Sequence, residues 1–368
     1  MYPRFPTDKE AHHEMRYVAA SCLREGMRLA RPLYRNVDTM LAAGVVLTDR
    51  YITSIQRCGF AGVYIDDDLS ADIELETMIS DELRHETAKS LNKIVDIAAS
   101  GGSGPSQVPN IGKQVENIVD ELFTNRDIMI NMLDLSSYDN YTCSHSLNVA
   151  ILSIVLAMGM GFPRSETVGL GAGALLHDIG KLFVNKSILL KNGPLTDEEF
   201  DTIKKHPKDG FNYISKRYNI ALRHCETILD HHEKYDGSGY PNRKKGSDIS
   251  LFGRICAVAD VYDALASKRP YRDAIPPCEC VEYIMGGSGT LFDPKVVDVF
   301  SQRIAPYPVG TSVRLSNGWV GLVVENYVSY SLRPRVRIYQ QDGQNVTPFE
   351  ISLKNDFHYL SVTIIGAA

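Results

Sequence analysis

The sequence lacks a paired-cysteine pattern, a long apolar run and an excess of positive charge. Its seven cysteines, Cys22, Cys58, Cys143, Cys225, Cys256, Cys278 and Cys280, include no CxxC pair, and only the last two lie close together. That spacing excludes a disulfide framework and a zinc ribbon. It reads as reduced cytosolic thiol, so a cytoplasmic location is expected. Met1 to Met15 is polar, with no apolar signal segment. The longest apolar run, Leu147 to Phe162, contains Ser153, Gly159 and Gly161. It is short for a membrane span and reads as a core helix, so no membrane partner is expected. Lysine and arginine number 39 against 45 aspartates and glutamates, a formal net charge of -6. This balance argues against a general binder of nucleic-acid polymers. An anionic substrate would need a local basic pocket.

What is present points to a mainly α protein with small modules at its ends. A chain of 368 residues is too long for one ordinary core. Residues 1–70 read as a small N-terminal α/β module. In it Tyr17 to Ala19, Met27 to Tyr34, Leu41 to Leu47 and Val63 to Asp66 form strands, and Thr48 caps a helix running to Arg57. Asp66, Asp67 and Asp68 read as solvated surface. Residues 71–135 read as a helical connector. Leu83, Leu91, Ile94 and Ala98 share one face, as do Ile111, Val115, Ile118 and Leu122. Ser100 to Pro105 is a Gly/Ser linker between the two helices. The connector has two readings, a dimer contact or relay in a homodimer, and packing against its own catalytic domain. Residues 136–306 read as nearly all helix. Residues 307–368 read as a small antiparallel β module, barrel-like, with turns at Asn317-Gly318 and Asp342-Gly343 and Trp319 in its core.

The chemistry concentrates in the helical region. His177-Asp178-Ile179-Gly180-Lys181 follows the small apolar run Val168 to Leu176. A buried carboxylate beside a buried imidazole is costly unless each has a partner, and a cation would serve both. His145 opens a helix. His206 lies late in a helix that begins at the capping box Thr196-Asp197-Glu198-Glu199. His231 and His232 close another helix, and Asp260 lies inside the helix Arg254 to Ala266. Taken singly, each histidine has an ordinary explanation as a hydrogen-bonded core residue, and Asp260 could pair with Arg254. Together they offer seven nitrogen and oxygen ligands with no thiolate. That is too many for one ion that keeps open positions. It suits two divalent ions such as iron or manganese, bridged by a carboxylate. On a helix His231 and His232 would be offset by about 100°, an arrangement that serves two ions more easily than one.

The loop His231-His232-Glu233-Lys234-Tyr235-Asp236-Gly237-Ser238-Gly239-Tyr240-Pro241 makes the pattern specific. With His177-Asp178 and Lys181, with Ala259 to Leu265, and with Arg269-Pro270-Tyr271-Arg272, it resembles the HD-GYP family, a branch of the HD superfamily of metal-dependent phosphohydrolases. The resemblance runs in order from about Tyr138 to about Val299. It implies an all-helical HD-type catalytic domain that hydrolyses cyclic di-GMP to linear pGpG or onward to GMP. It implies His145, His177, Asp178, His206, His231, His232 and Asp260 as metal ligands, with Asp178 bridging. It further implies Lys181 against the scissile phosphate, and Arg269, Arg272 and Tyr240 as substrate contacts. Some members carry a glutamate one turn before the first histidine, where it supports a third metal. Tyr141 stands there, so two ions are expected. The Gly-Tyr-Pro loop implies contacts with GGDEF-type cyclases. Two alternatives stand beside turnover of cyclic di-GMP. One is a cyclic-dinucleotide-binding signalling module acting through protein contacts. The other is a phosphodiesterase for another cyclic dinucleotide such as cGAMP. Glu233 and Asp263 read as supporting residues behind the ligands, and His224 matches no ligand of the family.

Overall fold

The computed structural model describes residues 15–35, 38–58, 60, 62–67, 70, 78–99, 111–124, 129–130, 141–191, 193–217, 220–267 and 274–368. The Gly/Ser linker, Arg269 and Arg272, and the side chain of Tyr141 lie outside them. The chain divides into two compact units. One gathers residues 1–77, 307–326 and 333–368, and the other 78–306 and 327–332. The two terminal segments thus belong to the same unit.

In the first unit, strands β1 (Arg16–Ala19), β2 (Arg28–Leu29) and β5 (Gly62–Asp66) form an antiparallel sheet in the order β1-β5-β2. Between them lie the hairpin β3 (Leu33–Arg35) and β4 (Asp38–Leu41) and the helix α1 (Asp49–Cys58). Leu29, Leu47, Ile55 and Ile65 are fully buried between sheet and helix. Asp67 is not free surface. Arg16 donates from Nε and Nη2 to its carboxylate at 2.7 to 3.0 Å. The C-terminal sheet runs β10 (Ile364–Ala367), β6 (Ser312–Leu315), β7 (Val320–Glu325), β8 (Arg335–Gln341), β9 (Gln344–Ser352), all antiparallel. Asp342 and Gly343 both have positive φ, 49° and 80°, as a two-residue turn that follows strand twist requires. The ladder is open, with β9 and β10 as its two edges, so the module is a sheet and not a closed barrel. Trp319 is partly buried and meets Phe349 and Tyr359 edge-on.

The second unit is helical: α2 (Asp81–Ala99), α3 (Ile111–Thr124), α4 (Tyr141–Gly159), α5 (Arg164–Leu175), α6 (Lys186–Leu189), α7 (Asp197–Ile203), α8 (His206–Arg217), α9 (Leu222–Asp230), α10 (Leu251–Ala266), α11 (Pro277–Gly286) and α12 (Pro294–Arg303). The apolar faces of α2 and α3 join the same core as α4, α5, α9 and α10. The connector therefore packs on its own helical domain. A Cβ placed on Gly171 of α5 would meet Val115 of α3 and Ile154 of α4, both at 2.8 Å. Small residues let these helices approach closely, and burying Ile118, Val119, Ile151 and Leu152 fully supplies roughly 1.5–3 kcal/mol per side chain.

Candidate metal centre

Three breaks in helix place five of the seven expected ligands. Helix α5 ends at Leu175, and the next two turns carry His177 and Asp178 into the 3-10 segment Ile179–Phe183. Gly180 is required there. A Cβ on it would lie 1.9 Å from the carbonyl oxygen of His206 and 2.7 Å from the backbone nitrogen of Gly210. The bare glycine lets the His177-Asp178 turn lie directly on the start of α8. His206 does not sit late in the capping-box helix. That helix, α7, ends at Ile203, and His206 opens α8 with Pro207 behind it. Proline belongs in a first turn, where its missing N–H costs nothing, and the residue before it resists helical backbone. His231 is the C-cap of α9, and His145 and Asp260 lie within α4 and α10.

All seven expected ligands converge. They form two adjacent groups, Asp178, His206, His231 and His232 in one, and His145, His177 and Asp260 in the other, each with its donor atoms within 4.8 Å of one another. Asp178 faces both groups. Its Oδ1 lies 3.3 Å from His206 Nε2 and 3.8 Å from His231 Nε2. Its Oδ2 lies 3.4 Å from His177 Nε2 and 3.8 Å from His145 Nε2. Asp260 Oδ1 is 3.2 Å from His145 Nε2, and its Oδ2 is 3.8 Å from His232 Nδ1. His231 and His232 fall in the same group, their rings 4.1 Å apart and tilted by 41°. The expected division of this pair between two ions rested on a helix continuing through both residues. The helix stops at Asp230, so the offset does not apply. Asp260 is not paired with Arg254, whose partner is Asp293.

Hydrogen bonds set the ring orientations. His177, His206 and His231 each donate from Nδ1 to the carbonyl three residues upstream, on Ala174, Ile203 and Ile228, each at 2.8 Å. Because a carbonyl only accepts, Nδ1 carries the proton and Nε2 turns a lone pair into the site. His145 is held by a side chain instead. Its Nδ1 donates to Asp263 Oδ2 at 2.6 Å, and Asn148 donates to Asp263 Oδ1 at 2.9 Å. This carboxylate–imidazole pairing is the usual support behind a metal-binding histidine. His177 Nε2 and Asp178 Oδ1 are buried with no hydrogen-bond partner. A buried cluster of inward lone pairs and carboxylate oxygens is costly alone and is satisfied by cations. The donor set, histidine nitrogen and carboxylate oxygen without sulfur, fits divalent transition ions.

The electrostatics point the same way. Burial opposes charge on Asp178, yet Lys181 and His177 hold its carboxyl well below the ordinary carboxylate range. Burial opposes charge on Asp260 too, and the hydrogen bond from His145 holds it low. Burial alone would depress His145, but Asp260 and Asp263 raise it to about 10. Burial lowers His231 well below its usual value and His232 to about 3, so both are neutral lone-pair donors.

Lys181, half-exposed, donates to Asp178 Oδ2 at 2.6 Å. Tyr240 lies over His232, ring centroids 4.8 Å apart, and burial raises its phenol above the ordinary value. Its loop is tied from beneath. Glu233 accepts from the backbone N–H of Asn242 at 2.7 Å and of Lys244 at 3.1 Å. Fully buried Asp230 accepts from Lys244 Nζ and from the backbone N–H of Ser250. Sequence reasoning missed Asn148 and Asp230. Asn148 sits three residues after His145, the same-face spacing that also puts Asp263 behind Asp260. His224 lies outside the cluster, 3.4 Å from Glu166. Among the described residues no helix is long and apolar enough to cross a membrane.

Comparison with known proteins agrees with this geometry. Residues 127–296 match the HD domain family. A cyclic di-GMP phosphodiesterase of Pseudomonas aeruginosa is 36% identical over 61% of this chain and 54% of its own length. A cyclic di-GMP phosphodiesterase of Thermotoga maritima is 39% identical over 50% of this chain and 52% of its own. A 3'3'-cGAMP-specific phosphodiesterase of Vibrio cholerae is 36% identical over 53% of this chain and 38% of its own. The chain spans about half the length of the curated relatives it matches, or less. The segment matched by the HD domain family holds every residue of the cluster, so it is in this segment that the chain is similar to that family and to the phosphodiesterases named above.

Proposed function

We propose that this chain is a metal-dependent cyclic-dinucleotide phosphodiesterase acting on cyclic di-GMP. The observation that carries the reading is Asp178 facing two adjacent ligand groups with its two oxygens. His145, His177 and Asp260 would hold one divalent ion, and His206, His231 and His232 the other, with Asp178 between them. Iron or manganese suits these donors. Such a pair of ions, when bound, neutralises phosphate oxygens and acidifies water.

The chain's own residues do the rest. Lys181 lies at the rim, half-exposed, and its ammonium can turn from Asp178 to a phosphate oxygen as negative charge develops. Tyr240, whose ring lies against His232, contacts the substrate from its loop. Arg269 and Arg272, which follow α10 in sequence, add the positive charge that an acidic chain needs to draw in a dianion. Water adds to phosphorus, one P–O bond to a ribose oxygen breaks, and that oxygen leaves with a proton. The first product is linear pGpG, and a second cleavage gives GMP. The Tyr240 loop also offers a surface to GGDEF-type cyclases, and the chain acts as a homodimer in the cytoplasm. A second reading, the hybrid dinucleotide cGAMP as substrate, is favoured by the cGAMP-specific relative.

The test is turnover by purified protein supplied with iron or manganese, given cyclic di-GMP and 3'3'-cGAMP in parallel. Linear pGpG is expected, and Asp178→Ala removes it. Wild-type protein that leaves cyclic di-GMP intact with either metal overturns the first reading, and turnover of cGAMP alone establishes the second.

A further inference from the structure

The rim of the metal centre carries one aromatic ring that no metal or phosphate chemistry explains. Phe200 lies on α7, a helix with no buried residue, and is 43% exposed. Its ring meets Tyr240 edge-on, centroids 6.4 Å apart at 79°, and Tyr240 in turn lies against His232. The three rings therefore step outward from the metal cluster to solvent. Lys204, one turn further along, places Nζ 4.4 Å from the Phe200 centroid. Lys204 is itself steadied by Asp201 at 2.8 Å. A cation over one face of a ring fixes the ring and is itself attracted to it. The acidic start of α7 is answered as well, since Glu199 accepts from Lys191 Nζ at 2.6 Å and closes the capping box on Thr196. Phe200 is thus an aromatic side chain exposed at the outer end of this ring series, beside a polar cluster.

We propose that Phe200 is a stacking platform for the purine of the bound nucleotide, oriented by Lys204 and Tyr240. The proposal deepens the phosphodiesterase reading and rests on it. A cyclic dinucleotide whose phosphate reaches the metal cluster must carry its bases outward, and the ring series from His232 through Tyr240 to Phe200 runs in that direction. Phe200 is thus a base-binding residue rather than a participant in the bond cleavage. Stacking reads the flat face of a base, so this platform accepts adenine as well as guanine.

The test uses the full chain supplied with manganese, and binding as its readout. GMP and ribose 5-phosphate, which share a phosphate and a ribose but differ in the base, are titrated against wild type, Phe200→Ala and Phe200→Trp. Melting temperatures are measured alongside. The expected result is that Phe200→Ala weakens GMP roughly ten-fold and leaves ribose 5-phosphate unchanged, while Phe200→Trp retains GMP affinity. The proposal is overturned if the alanine variant binds GMP as wild type does, as it would if Phe200 served only a protein partner. It is equally overturned if wild type binds the two ligands alike, or if the variant weakens both together. Turnover of cyclic di-GMP by wild type separates the two readings. Base discrimination lost in Phe200→Ala without any turnover leaves the platform standing and removes the phosphodiesterase. Turnover with no change in GMP binding does the reverse.

Discussion

His206 and His231 point their Nε2 atoms at one another across 3.3 Å, and both have given their Nδ1 protons to backbone carbonyls. Two lone pairs therefore meet with no proton between them, and Asp178 Oδ1 adds a third acceptor 3.3 Å from the first. The arrangement is repulsive by itself and becomes favourable around a cation.

Metal removal should consequently destabilise the fold. Each ion at a hundredfold excess over its Kd stabilises the native state by about 2.7 kcal/mol. Thermal melts with iron or manganese, with chelator, and after re-addition should show a reversible drop in Tm. His206→Ala should lose part of that response, and mass analysis should find two ions per wild-type chain. A content of one, or a Tm indifferent to chelator, would sink the dinuclear arrangement.

Asp263 touches no expected substrate or ion, yet it accepts from His145 Nδ1 and so helps to aim the ring. Removing such a partner lowers metal affinity roughly 10–100-fold. Asp263→Ala should weaken one ion in a chelator competition and leave the other, and Asp263→Asn, which keeps an acceptor, should weaken it less. Two unchanged affinities would show that α4 alone holds the ring in place.

Gly180→Ala tests the contact between the His177-Asp178 turn and α8. The added methyl meets the backbone of His206 and Gly210, which cannot rotate aside. A cost of about 1–3 kcal/mol or more is expected from such overpacking. Metal content should fall with it, since His206 must move. A variant with wild-type melting and full metal content would refute this role of the glycine.

The histidines give the metal-free protein a stability optimum. His231 and His232 are depressed from an ordinary 6.5, the latter to about 3. Below about pH 6.5 the unfolded chain takes up protons that the folded one refuses, so stability falls as pH drops. His145 runs the other way, raised to about 10. Its contribution is complete below 6.5 and is lost as pH rises towards 10. Denaturant melts of chelated protein across this range should peak between the two arms. A stability that keeps rising into acid would contradict the assignment.

The seven residues that converge were legible because motif order survives without knowledge of the fold. What blurred was the joint between α7 and α8. The acidic capping box promised one helix through His206, and Pro207 was the signal that a new one starts there. The open C-terminal sheet was harder to read, because β9 is largely exposed and Gln344 to Ser352 has no strong alternation. Arg16 and Asp67 stand 51 residues apart, and no local pattern announces such a pair. Asn148 and Asp230 were missed for a related reason. They touch no expected ion and act only through neighbours that tertiary packing brings together.

The carbonyl bonds of His177, His206 and His231 reach back three residues, while the bond that aims His145 spans 118. Three of the rings are thus aimed by their own turns, before any distant part of the chain arrives. His145 differs, because its bond to Asp263 forms only once α4 and α10 have met, which makes the assembled His145–Asp263 pair the centre's own report that the domain has finished folding.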